Sequence, residues 1–415
     1  MKKTENYTLS FCTMLATVMC AASIAVPCGW AQQEDGSRKD FLAQKAKAEN
    51  GDAEAQFKMG DSYDHGHDVP TDFVEAVKWY RKAAAQNYAA AQFNLGFCYD
   101  KGRGIAANKA EAVKWYRKAA EQNFAQALTY LGISYLNGEG VTKDEPEAVR
   151  WFLKAAQQNY AGAQRELGVC YHTGLGVKKD MTEAVKWYRK AAEQDNAEAQ
   201  NNLGACYERG DGIAKDGSEA ARWFLWAANL GNASAQANLG ACYLNGQGVT
   251  KDERKAVEWY RKAAEQGEAA GQYGLSRCYF LGAGVDKDEV EAAKWVRKAA
   301  EQGDAQAESA LGNYYWNGWG STKDEAEAVK WYRKAAEKNE GQAQANLGLC
   351  YVRGRGVAKD ELAAYQWFWL AAAQGIDSAK NNLPKLESIL SGNQIAEGKE
   401  RAKNWLEQRG QGTIR

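Results

Sequence analysis

Apolar and polar residues follow two nested rhythms along this chain. Within short segments, apolar side chains recur three and four positions apart, as in Ala91, Leu95, Cys98 and Tyr99. In the next segment Ala112, Trp115, Tyr116, Ala119 and Ala120 form one stripe while Lys114, Arg117 and Lys118 lie off it. That spacing predicts amphipathic helices, one side turned to a core and the other to water. Gly102 and Gly104 separate the two segments, so the pair reads as helix, turn, helix. The longer rhythm is set by Trp79, Trp115, Trp151, Trp187, Trp223, Trp259, Trp295, Trp331 and Trp367, each 36 residues from the last. Gly60, Gly96, Gly132, Gly168, Gly204, Gly240, Gly312 and Gly348 keep step, with Ser276 and Pro384 in the two remaining places. A register that never slips makes the helical pair the structural unit.

The unit's boundaries are marked as well. Asp180 with Glu183, Asp216 with Glu219, Asp288 with Glu291 and Asp324 with Glu327 have the spacing of a capping box at the start of each second helix. Asp252 with Lys255 and Asp360 with Ala363 lack the acidic member, and weaker caps are expected there. Asn87, Asn123, Asn159, Asp195, Gly231, Gly267, Gly303, Asn339 and Gly375 should end the second helices, because they tolerate the left-handed backbone that closes a helix. Two helices of about a dozen residues cannot cover their own aromatic stripe, and stacking the next unit does so. Burying each register tryptophan in that core contributes roughly 2–3 kcal/mol. Nine full units are predicted over residues 53–375, followed by a tenth first helix at 377–390.

The ends depart from the pattern. Residues 1–31 have Lys2 and Lys3, then a mostly apolar run, then Gly29-Trp30-Ala31, the layout of a cleaved export signal; the polar Gln32-Gln33-Glu34-Asp35 follows directly. Residues 38–50 align with a second helix but carry Ala43 in the tryptophan place and Lys47 in an alanine place, as suits a polar lid. Residues 394–408 form a charged helix bearing Ile395, Ala402 and Trp405. The expected organisation is therefore a signal peptide (1–31), an N-terminal cap (32–50), a repeat array (51–391) and a C-terminal cap helix with its tail (392–415). The protein is expected in the periplasm or secreted.

The recurring form is Ala-x-Ala-Gln-x-x-Leu-Gly-x-x-Tyr, then Gly-x-Gly-Val-x-Lys-Asp, then Glu-Ala-Val-Lys-Trp-Tyr-Arg-Lys-Ala-Ala-Glu-Gln. It resembles the Sel1-like repeat, a relative of the tetratricopeptide repeat, over residues 51–391. The resemblance implies an all-α fold, a right-handed α/α superhelical solenoid, serving as a non-catalytic adaptor or scaffold that binds a protein or peptide in its concave groove. For exported bacterial members it implies a part in envelope regulation or assembly, and fold alone does not decide among such roles. In the related solenoids the residue before Leu-Gly points into the groove, and here it is Asn94, Asn202, Asn238, Asn346 and Asn382. A row of amides can bond an extended peptide backbone without reading its side chains; the alternative is a neutral polar filler on an exposed helix face. Arg209 and Arg353, near first-helix ends, would add carboxylate recognition. Trp316 and Trp319, outside the tryptophan register, are expected as exposed contact residues, which ranks units seven to nine first.

Composition narrows the chemistry. The chain has 53 Lys+Arg against 53 Asp+Glu, and removing Lys2, Lys3 and Glu5 with the leader leaves 51 against 52. That balance argues against nucleic acid, which requires a basic face. Cys98, Cys170, Cys206, Cys242, Cys278 and Cys350 all lie two residues after the repeat glycine position, on an apolar helix face. Equivalent positions in stacked units lie roughly 8–10 Å apart, beyond disulfide reach, so buried thiols are expected. Cysteine-rich relatives pair a cysteine in each helix of one unit, and no second helix here has one; their β-lactam-binding or hydrolytic activity remains the enzymatic alternative, and a purely structural surface role the other.

Asp64, His65, His67 and Asp68 in the first turn could ligate a metal, but the reading preferred is a polar loop in which Gly-x-Gly has become Gly66-His67-Asp68. His172 is expected to be isolated and exposed. Ser-x-x-Lys, Gly-x-Ser-x-Gly, His-Glu-x-x-His and Cys-x-x-Cys are absent after residue 31, so no enzyme, cofactor or metal is expected.

Overall fold

In all but one of the repeats a glycine of the first helix faces an aromatic ring of the second, and the two helices close together around that contact. The computed structural model describes residues 28–409, so the predicted leader lies outside the described residues except for its last four, and so does 410–415 of the predicted tail. Two compact units divide at residue 158. The first contains α1 (Cys28–Glu49), α2 (Ala53–His65), α3 (Phe73–Ala85), α4 (Ala89–Lys101), α5 (Lys109–Glu121), α6 (Ala125–Asn137) and α7 (Glu145–Gln157). The second begins with α8 (Ala161–Thr173), α9 (Met181–Ala192), α10 (Ala197–Arg209), α11 (Gly217–Asn229), α12 (Ala233–Asn245), α13 (Glu253–Glu265) and α14 (Ala269–Leu281). It continues with α15 (Glu289–Glu301), α16 (Ala305–Asn317), α17 (Glu325–Glu337), α18 (Gly341–Arg353), α19 (Glu361–Ala373), α20 (Asp377–Glu387) and α21 (Gly392–Glu407). Every regular element among the described residues is helical, in the repeated hairpins of an all-α solenoid.

Helix ends fall where the sequence predicts. Asn87, Asn123, Asn159, Asp195 and Asn339 adopt φ between 58° and 66°, and Gly231, Gly267, Gly303 and Gly375 take the same left-handed turn. The second glycine of each Gly-x-Gly serves a different purpose: a Cβ on Gly212 or Gly284 would collide with the carbonyl of Met181 or Glu253, the first residue of the preceding second helix. Aspartate caps form as predicted, but the reciprocal half of the box does not. Glu183, Glu219, Glu291 and Glu327 instead pair with Lys186, Arg222, Lys294 and Lys330 three residues on, at 2.7–2.9 Å. Asp252 and Asp360 therefore cap as well as the others, accepting from Lys255 and Ala363 N–H groups at 3.0 and 2.9 Å.

The ring at the centre of each hairpin is the residue after the register tryptophan. Tyr116, Phe152, Tyr188 and Phe224 are fully buried, and a Cβ placed on Gly96, Gly132, Gly168 or Gly204 would lie within 2.8 Å of that ring or closer. The prediction that the nine tryptophans are core is corrected here. Trp79, Trp223 and Trp331 are buried, but Trp115, Trp151, Trp187, Trp259, Trp295 and Trp367 are half-buried. A lysine three residues on lies over many of these rings, as Lys118 does over Trp115 and Lys262 over Trp259, at 4.1 and 4.0 Å. Ser276 replaces the glycine only where Val296 replaces the ring; its hydroxyl donates to Ala292 O at 2.9 Å.

Amides tie one hairpin to the next. Gln92, buried at the start of α4, donates to Ala84 O of the preceding hairpin at 3.3 Å and accepts from Gln122 Nε2 at 2.8 Å. Gln122 also donates to Asn87 Oδ1 at 3.1 Å. Gln194–Gln164, Gln266–Gln236, Gln302–Gln272 and Gln374–Gln344 repeat the arrangement at 2.7–2.8 Å. In one repeat the same places hold Lys338 and Glu308, 2.7 Å apart.

Cys98, Cys206, Cys242, Cys278 and Cys350 are buried free thiols, and Cys170 is buried too. Burial pushes Cys206, Cys242 and Cys278 up to about 11 and Cys98 and Cys350 up to about 12.

Two outcomes are expected. Gly204→Ser should destabilise by about 1–3 kcal/mol through overpacking against Phe224, and Phe224→Val should cost less in that background than in the parent. Strict additivity in denaturant titrations of the four proteins would refute the glycine–ring account. A maleimide should leave these five thiols unlabelled in the native protein and label them after unfolding without reductant; rapid native labelling would show that burial does not protect them.

Candidate functional site

First helices present the residue before Leu-Gly on a half-exposed face, because the Leu and Gly that follow are held in the core. In the first unit Asn94 is half-buried, and the Tyr80 hydroxyl donates to Asp64 Oδ2 at 3.5 Å. Tyr130 takes the same place on α6, with Phe93 and Phe97 against its ring at 5.2 and 6.0 Å, a half-buried aromatic group that the amide pattern did not reveal.

In the second unit Asn202, Asn238, Asn346 and Asn382 are all half-buried, and Gly274 and Ala310 interrupt the row. Asn238 Nδ2 donates to Asn201 Oδ1 of the preceding first helix at 2.9 Å. Asn346 Nδ2 donates to Asn313 Oδ1 at 3.2 Å, an oxygen that also accepts from the Tyr332 hydroxyl at 2.7 Å. Asn382 donates to its own helix at Ser378 O, 2.7 Å away. Asn238 and Asn346 are thus engaged by neighbours one repeat away and Asn382 by its own helix, and all retain donor or acceptor capacity.

The charged and aromatic candidates are differently placed from expectation. Arg209 is paired with Asp211 at 2.6 Å, which holds the Asp211 carboxyl below its ordinary value. Arg353 is exposed and makes no ion pair among the described residues. Trp316 and Trp319, expected to be exposed, are half-buried. The Arg355 guanidinium, itself paired with Glu325, lies 4.6 Å from the Trp316 ring. Trp319 packs on Phe280 at 4.8 Å and edge-on to Tyr314 at 5.9 Å. His172, also expected to be exposed, is half-buried with Nδ1 3.4 Å from the Tyr188 hydroxyl; burial lowers its pKa.

At the first turn the structure groups Asp61, His65 and His67, whose ligand atoms lie within 4.8 Å of one another, a set that could hold a divalent cation. Asp64 turns away, buried and paired with Arg103 at 3.1 Å, and Asp68 occupies the left-handed position of the missing glycine.

Among the described residues the exposed tryptophan is Trp226, in the place where seven other repeats carry the stacked lysine. It meets Trp223 edge-on at 4.6 Å and borders a cavity of about 610 Å³ with Leu230, Gln200, Glu193 and Asp195. Aligning the repeats position by position would have exposed both departures, Lys to Trp226 and Gln to Leu230.

Among the described residues, no helix is long and apolar enough to cross a membrane. A search of the curated proteins returned no match. Among solved structures, the chain is similar to a protective antigen of uropathogenic Escherichia coli strains, 33% identical over 88% of this chain and 94% of that one, with a TM-score of 0.48. It is also similar to a Sel1 repeat protein from Oxalobacter formigenes, 32% identical over 74% of this chain and 89% of that one, with a TM-score of 0.53. The Sel1 repeat family profile matches nine consecutive segments from residues 53–88 to 341–376, and the chain belongs to the Sel1 repeat family.

Proposed function

We propose that this protein is a non-catalytic adaptor, which holds a protein or peptide partner along the first-helix face of its second unit. The observation that carries the reading is the row of half-buried amides at one repeat position, Asn202, Asn238, Asn346 and Asn382. Asn202 makes no side-chain hydrogen bond among the described residues, and Asn238 and Asn346 keep one carbonyl or N–H direction open, so an extended backbone could be bonded at intervals. Arg353 supplies a cation for a partner carboxylate. Sel1 repeats typically serve as protein-interaction scaffolds, in keeping with that reading. Work in the periplasm or outside the cell is supported by the signal-like residues 1–31. A neutral molecule selects its partner by local contacts rather than by long-range attraction, and the reading excludes nucleic acid.

A photo-crosslinker placed at Asn202 in cells should give a discrete adduct, and one at Lys186, on the exposed side of α9, should not. Asn238→Ala with Asn346→Ala should weaken that adduct at least several-fold. Equal yields at both positions, or an unchanged adduct in the double variant, would dismiss the groove.

A further inference from the structure

The amide ladder is broken twice, and the two breaks differ. At Leu128 the buried acceptor is itself replaced by an apolar side chain, which leaves nothing buried in need of a partner. At Leu230 the acceptor is kept and the donor is lost. Gln200 is 2% exposed and lines the cavity; its Nε2 donates to Ala192 O at 3.0 Å, but its Oε1 is buried without a partner. Elsewhere that oxygen receives an N–H from the end of the second helix, and the donor is bonded at the same time to the left-handed residue of the preceding repeat, as in Gln374 with Asn339 at 2.9 Å. The corresponding residue here is Asp195, a carboxylate whose only side-chain donor among the described residues is Gln200 Nε2, at a long 3.5 Å. Two acceptors therefore stand where the rest of the molecule places one shared donor.

The molecule also shows which donor suits a negative partner. Where the acceptor is Glu308, the donor is Lys338, whose ammonium bonds Glu308 Oε1 at 2.7 Å and Gly303 O at 2.8 Å. Glu193 and Asp195 line the cavity with no ion pair among the described residues, alongside two arginines. Arg222 is paired with Glu219 at 2.8 Å, and Arg189 donates to the Tyr207 hydroxyl at 2.8 Å. Trp226, 42% exposed and with the Arg222 guanidinium 5.1 Å from its ring, and Leu230, 52% exposed, supply an apolar wall for an alkyl chain. Binding at the buried Gln200 oxygen requires these two partly exposed side chains to turn aside.

We propose that this cavity binds a primary alkylammonium group, the side chain of a lysine on a partner protein, with its nitrogen between Gln200 Oε1 and Asp195 and its methylenes against Trp226. The site is on the helix ends of α9 to α11, apart from the asparagine row, and stands or falls independently of it.

The test titrates the full chain with acetyl-Ala-Lys-Ala-amide, with the same peptide carrying norleucine or glutamine in place of lysine, and with butylammonium, followed by calorimetry. The lysine peptide should bind and the norleucine peptide should not. Asp195→Asn keeps the left-handed turn, as Asn159 and Asn339 do, and should weaken the lysine peptide about tenfold, the loss of one ion-pair contribution. Leu230→Gln rebuilds the ladder and should abolish binding while raising the thermal midpoint; Leu230→Met keeps the gap and should still bind. Butylammonium binding as tightly as the peptide would identify a small amine, rather than a protein lysine, as the occupant and overturn the partner assignment. Equal binding of the glutamine peptide would overturn the charge requirement. Absence of lysine-peptide binding, or full binding by Leu230→Gln, would overturn the site.

Discussion

An aromatic ring lying against helix backbone at a glycine sets the spacing of all but one of the nine repeat hairpins among the described residues. A side chain on Gly96 or Gly204 would push Tyr116 or Phe224 outward and separate the helices that the Ala pairs of the second helix otherwise draw together. Because each hairpin must present the same surface to the next, an error in one would propagate to its neighbours, and the 36-residue period admits no insertion. The single repeat that breaks the rule does so in both partners at once: Ser276 with Val296, and the Tyr314 hydroxyl 3.4 Å from Ser276 Oγ in the space the ring would have taken.

Most of the architecture was legible because periodicity is a one-dimensional property. Helix number, turns and the left-handed closers Asn87 to Gly375 are local matters of backbone preference, readable residue by residue. The roles of adjacent Trp115 and Tyr116 were not, since both fall within one apolar stripe and only the neighbouring helix determines which ring is enclosed. The capping glutamates were misread for a related reason: a carboxylate at the third helical position has two acceptable partners, and a lysine or arginine three residues ahead won over the backbone.

The candidate site was legible in position and not in state. That an amide recurs before Leu-Gly is written in the sequence, yet whether it is engaged depends on a residue 33 to 37 positions away, as with Asn313 and Asn201. Trp316 and Trp319 left the tryptophan register and were read as surface; Arg355 and Phe280, distant in sequence, partly cover them. Trp226 and Leu230 went unremarked because each is unexceptional by itself. Their meaning lies in the Gln200 oxygen that they leave without a donor. In a repeat protein the departures from consensus carry the functional information, for the consensus is already spent on stacking.

The glutamine ladder has a consequence for how the stack responds to acid and salt. Carboxamides neither gain nor lose a proton across any pH at which a protein survives, and their bonds are little affected by salt. The ladder rungs that couple repeat to repeat are of this kind at Gln122–Gln92, Gln194–Gln164 and Gln302–Gln272, with an ionic substitute at Lys338–Glu308, and further ion pairs such as Lys109–Glu139 and Arg355–Glu325 join repeats elsewhere. Rising salt would weaken that one ionic rung first and leave the amide rungs as they were. The amide rungs keep their spacing through swings of acidity and ionic strength.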